Sequence, residues 1–232
     1  MFDTSRHDAV LPSVHRDTPV HVIGVGATGS RVFASLVELG MKNISIYDDD
    51  VVEDHNLANQ IYLDHDVNTL KVEACRCFAN EKLGDLAEAE ERLSIYNYRV
   101  DSTSDIDFDG IVFLMVDTMS ARREIFDCQL DSNSSVTRVI ETRMASNYGD
   151  IYMIDPMSQI QVSEWYDTLS DDEPTDTTAC GSSITVGSTA SIIANMAIWN
   201  MIRHLCTPYP SGSKTKIFLS PLMVSHKTIG DF

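Results

Sequence analysis

The sequence predicts an α/β protein: a doubly wound, mostly parallel sheet, with antiparallel strands in its C-terminal part. Three observations lead there. Through residue 140, apolar strand-like runs alternate with helical stretches in the order β-α-β-α-β-β-α-β. A glycine-rich turn, Gly24-Val25-Gly26-Ala27-Thr28-Gly29, joins the first strand to the first helix. Ile111 to Val116 is an unbroken apolar run, as expected of a strand covered on both faces.

Residues 1–18 are polar and are expected to form a flexible N-terminal arm ahead of a single domain over 19–232. Strand one is expected over 20–25 and helix one over 28–39, ended by Gly40. Strand two, 44–47, delivers its carboxyl end to Asp48, Asp49 and Asp50. A helix over 69–83 has Thr69 as its expected cap and Gly84 as its stop. Leu93 to Val100 alternates as a strand does, and a helix over 119–130 leads to a strand over 136–140. Gly149-Asp150 reads as the turn into an antiparallel partner, Ile151 to Ile154. Ser163 to Thr178 is acidic with few core candidates, and predicts an exposed crossing loop at about 163–180. Val186, Ala190, Ile193, Ala197, Met201 and Leu205 then fall at helical spacing, and 216–224 suits an edge strand.

Length and composition bound the function. The 232 residues are 43% hydrophobic, enough for a substantial core. With 35 acidic against 17 basic residues, the formal net charge is −18. Such a surface argues against nucleic acid or an anionic membrane as partner, so an anionic ligand must meet a local cluster of donors. The five cysteines form no CxxC pair, which removes tetrahedral zinc spacing. Their odd number, the polar start of the chain and the lack of a long apolar span set a reducing, cytoplasmic compartment as the expectation.

Gly24, Gly26 and Gly29 sit where a strand meets a helix, which makes the turn a phosphate cradle. Asp48 ends the next strand, about 20 residues beyond the last glycine, the place from which an acid meets ribose hydroxyls. The fold is therefore Rossmann-like and the ligand a nucleotide. A nicotinamide dehydrogenase shares these features, but nothing in that chemistry requires Asn56, Lys71 and Asp117.

Asp48 to Gln60 reads Asp-Asp-Asp-Val-Val-Glu-Asp-His-Asn-Leu-Ala-Asn-Gln; Lys71 lies in Leu-Lys-Val-Glu-Ala, and Asp117 ends the buried strand. In that order, over roughly residues 20–205, these motifs resemble the ThiF/MoeB family of ubiquitin-activating-type adenylyltransferases. The resemblance implies ATP and Mg2+ as cofactors. Asp48 and Asp50 would lie at the nucleotide, Asn56 and Lys71 at the phosphates, and Asp117 would hold the metal and stand beside a helix start. It further implies a partner, a small ubiquitin-like or sulfur-carrier protein with a free C-terminal glycine, and a homodimer. Adenylation of a peptide or of a modified tRNA carboxylate, and a nucleotide-binding scaffold without turnover, are the alternatives.

Two residues separate these readings. Asn59 stands where the family usually has an arginine over the triphosphate; Arg6 and Arg16 on the arm and Arg122 are candidate substitutes. Cys180, in Ala-Cys-Gly ahead of the last helix, is a candidate nucleophile by resemblance to ThiF, and a helix N-terminus favours its thiolate. His21 and His204 are expected to pack or cap, and Gly187 to permit a close helix contact.

Overall fold

The strand over 110–114 is buried at every residue, on both faces of the sheet, which explains its unbroken apolar run. A computed structural model describes residues 2–170, 186–207 and 212–229 of the chain. β1 (Val20–Ile23) pairs in parallel with β2 (Ile44–Tyr47) on one side and with β4 (Gly110–Leu114) on the other. β3 (Leu93–Tyr96) continues in parallel beyond β2, and β5 (Val136–Met144) beyond β4. β6 (Tyr148–Ile154), β7 (Gly212–Leu219) and β8 (Leu222–Ile229) follow antiparallel, giving the order β3-β2-β1-β4-β5-β6-β7-β8. The predicted mixed sheet is present.

Alternate residues of β4 enter two separate cores. Ile111 and Phe113 face α1 (Gly29–Leu39), α2 (Lys71–Leu83) and α6 (Gly187–Cys206), together with Val32, Phe33, Leu36, Val72, Ile193 and Met201. Val112 and Leu114 face the other layer, with Ile125 and Phe126 around α4 (Met119–Ile125) and Trp165 of α5 (Gln159–Tyr166). A short helix α3 (Leu86–Arg92), capped by Asp85, leads into β3. The strand order reverses between β1–β2–β3 and β4–β5, so loops diverge from the carboxyl ends of β1 and β4 and leave a crevice there.

Several expectations need correction. The segment before β1 is anchored rather than flexible: Leu11 and Arg16 are buried, and the Arg16 guanidinium donates to Thr4 Oγ1 (2.7 Å), Asp8 Oδ1 (2.6 Å) and the Leu11 carbonyl (3.2 Å). α2 begins at Lys71, and Thr69 does not cap it. The Thr69 carbonyl instead accepts from Val52 N–H (2.8 Å), and Leu70 forms an antiparallel bridge with Val51. β3 stops at Tyr96, and residues 97–100 turn toward the crevice. The helix expected over 119–130 is α-helical to Ile125 and then widens into a π turn over Phe126–Leu130.

Gly149 and Asp150 lie inside β6, while Ala145 and Tyr148 close the turn (2.9 Å). A Cβ on Gly149 would meet Ile193 Cδ1 at 2.5 Å and the Arg143 carbonyl at 2.8 Å, so this glycine serves the close approach of α6. The first residues of the expected crossing loop, 163–166, close α5, with Trp165 buried; 171–180 lie outside the described residues. The single tail strand is a hairpin, with β8 at the edge. No helix among the described residues is long and apolar enough to cross a membrane.

Candidate nucleotide site

The glycine turn is fixed by how closely strand and helix approach. Gly24 has φ 88°, and a Cβ there would meet the Met115 carbonyl at 3.0 Å. A Cβ on Gly29 would lie 1.9 Å from the Gly24 carbonyl, so no side chain fits. Gly26 differs: nothing stands within 4 Å of its missing Cβ, and it borders a cavity of about 470 Å³. That volume suits a small-molecule ligand. The cavity opens at the carboxyl ends of β1, β2 and β4, where Ile23, Tyr47 and Met115 form part of its wall.

Asp48, Asp50, Asn56, Lys71 and Asp117 all line this cavity, together with Asn59. Asp48 is half-buried and accepts from Val25 N–H at 2.8 Å and Asp50 N–H at 2.9 Å. Burial pushes its carboxyl above the usual aspartate value, and the nearby Lys71 ammonium and the two N–H groups pull only partly back. Lys71 is buried, yet its Nζ donates to Asp50 Oδ2 at 2.6 Å, and that carboxylate is exposed. The Lys71 N–H also donates to the Asp50 carbonyl (2.9 Å). The bridge between residues 51 and 70 thus sets the ammonium at the cavity wall.

Asn56 is buried in a one-turn helix over 54–56, where its Oδ1 accepts from Glu53 N–H (2.9 Å). That bond orients the amide of a residue that lines the cavity, and its N–H donors make no bond among the described residues. Asp117 is exposed at the mouth, and its carboxylate has no cation among the described residues. The helix cap beside it is Thr118, whose Oγ1 accepts from Ala121 N–H (3.2 Å). Asp117 is therefore not the cap. Oxygens of Asp48, Asp49 and Asp50 lie within 4.8 Å of one another, but those of Asp48 and Asp50 serve backbone N–H groups and Lys71.

The candidate arginines part ways. Arg16 is tied into its own network with Thr4, Asp8 and Leu11 and does not line the cavity. Arg6 is exposed on the anchored segment. Arg122 is buried in the wall of the cavity, bonded to Glu141 Oε1 (3.0 Å), the Thr142 carbonyl (3.0 Å) and the Val116 carbonyl. Glu141 is fully buried and also holds Arg143 Nε (3.1 Å) and Trp165 Nε1 (3.2 Å), so Arg122 belongs to a core network, not the surface. Arg31 of α1 reaches the turn at Asn59, donating from Nη2 to its carbonyl at 3.4 Å.

Tyr98 and Arg99 also line the cavity and were not anticipated; they lie just beyond β3, whose carboxyl end faces the same crevice as β1 and β2. That rule was the available signal. Cys180 lies outside the described residues. Of the other thiols, Cys75 is buried, where burial raises its pKa, and Cys77 is exposed. His21 packs as expected, its ring nitrogens 3.0 Å from the Tyr47 hydroxyl and 3.0 Å from Asp109. Burial brings His204 down to about 4, consistent with a packed, neutral ring.

The sequence profile of the ThiF family matches residues 14–225. No curated protein matches the chain. Among solved structures, selenomethionine PaaA superposes with a TM-score of 0.71 at 16% identity, covering 99% of this chain and 70% of that one. Escherichia coli MccB with MccA-N7isoASN gives a TM-score of 0.73 at 13% identity, covering 97% of this chain and 68% of that one. E. coli MccB with ATP gives 0.67 at 12% identity, covering 96% and 67%. Identities this low carry the fold alone.

Proposed function

The chain belongs to the ThiF family, and on that premise we propose that it adenylates a carboxylate with ATP. The observation that carries the reading is the convergence of Asp48, Asn56, Lys71 and Asp117, spread over 70 positions of sequence, on one cavity beside the glycine cradle. The acceptor is the C-terminal carboxylate of a small ubiquitin-like or sulfur-carrier protein ending in glycine. A formal charge of −18 disfavours a tRNA acceptor.

In the reaction a carboxylate oxygen of the acceptor attacks the α-phosphorus of ATP. The bond from that phosphorus to the bridging oxygen breaks, and pyrophosphate leaves. Position and charge neutralisation matter more here than covalent help from the protein. Asp48 would accept from the ribose hydroxyls, its remaining lone pairs being free beside the two backbone bonds. Open space above Gly26 admits the phosphates to the backbone. Asn56 would donate its preoriented amide, and Lys71 would exchange Asp50 for a phosphate oxygen. Asp117, at the mouth and without a cation among the described residues, fits a hard cation such as Mg2+, whose chemistry is to neutralise phosphate charge. The Cys180 thiol would take the acyl group from the adenylate in a second step, releasing AMP. A homodimer accompanies this reading.

The test is exchange of labelled pyrophosphate into ATP, driven by a protein ending in Gly-Gly. Exchange that falls on the order of 100-fold in Lys71→Ala is the expected result. Tight ATP binding with no exchange for any protein or peptide acceptor would mark a scaffold instead, the reading that Asn59 favours.

A further inference from the structure

Arg31 occupies an electrostatically unfavourable place. It is the third residue of α1, near the positive end of the helix dipole, where a cation is destabilised. Burial draws its pKa below the ordinary arginine value, and its Nε is buried without a hydrogen-bond partner among the described residues. Among those residues its guanidinium makes the 3.4 Å contact to the Asn59 carbonyl, and no carboxylate offsets its charge. Among the described residues, a cation so placed has no anion to balance it.

Arg31 stands just behind the cavity wall: it is not itself a lining residue, but Ala27 and Thr28, the two residues that lead into α1, are. Its guanidinium touches the turn that carries Asn56 and Asn59, two further wall residues. Gly187 leaves it space: a Cβ there would lie 3.2 Å from Nη2, 3.3 Å from Asn59 Cα and 2.9 Å from the Ala58 carbonyl. An arginine at 59 would crowd a second guanidinium beside the first, with like charges opposed.

We propose that Arg31 grips the terminal phosphates of the nucleotide and supplies the positive charge that Asn59 lacks. The inference rests on the adenylation reading and names the residue that completes its phosphate site. A guanidinium is suited to this task because its planar fork meets two phosphate oxygens at once.

Calorimetry with ATP and Mg2+, and separately with AMP, tests it on the full chain. Arg31→Ala should weaken ATP binding at least about tenfold and leave AMP binding within about twofold, because AMP lacks the phosphates in question. Adding Asn59→Arg to Arg31→Ala should restore ATP binding. Arg31→Gln, closer in volume, should repeat the loss, which keeps the result readable if the alanine variant unfolds. An unchanged preference for ATP over AMP in both variants, or equal loss of the two nucleotides in folded protein, overturns the assignment while leaving adenylation standing. If the unsubstituted protein binds neither nucleotide, the adenylation reading falls and this one with it.

Discussion

At the scale of single residues, Asp48 carries a testable pH signature. Its carboxylate accepts two backbone N–H groups at the end of β2, and burial raises its pKa above the usual aspartate value. An acid raised on folding binds its proton more tightly in the fold, so its contribution to stability grows as pH falls through the raised value. Ligand binding runs the other way, because a protonated carboxyl has less acceptor capacity for ribose hydroxyls. ATP affinity should therefore decline as pH falls, with a midpoint above that of an ordinary aspartate near 3.9, and Asp48→Asn should flatten that limb; calorimetry across pH would measure both. Asp48, Asn56, Lys71 and Asp117 were legible because strand ends and motif spacing place them. Arg122 was not, since its partner Glu141 stands on β5, and nothing in the helix sequence announces a buried pair.

At the scale of elements, most boundaries came from apolar runs and from glycines at helix ends, as Gly40 and Gly84 show. The failures share a cause. Gly149-Asp150 has turn composition, and Ser163 to Tyr166 has few core candidates besides Trp165, yet tertiary packing decided both. At Gly149 the decisive neighbour is α6, which lies too close to β6 for any side chain. Gly149→Ala should cost about 1–3 kcal/mol by overpacking. Chemical denaturation would report it as a lower midpoint at unchanged slope, and an unaltered midpoint would show that Ile193 swings aside without cost.

At the scale of the whole molecule, the alternation of strands and helices with one glycine turn was enough to foresee the layered sheet and its crevice. The anchoring of residues 4–16 was not foreseeable, because polar composition reads as exposed until Arg16 is seen folded over Leu11. The sheet order has a further bearing on how the chain is made. β1 is synthesised first but lies mid-sheet, and its second neighbour, β4, ends only at Leu114. A nascent chain released through Tyr96 would expose β1 as an apolar, unpaired edge open to other chains. A fragment ending near residue 100 should aggregate, and one ending after β5 should be markedly more soluble, as sedimentation of the two would reveal. Until the ribosome has delivered Gly110 to Leu114, β1 keeps one apolar edge without its native partner.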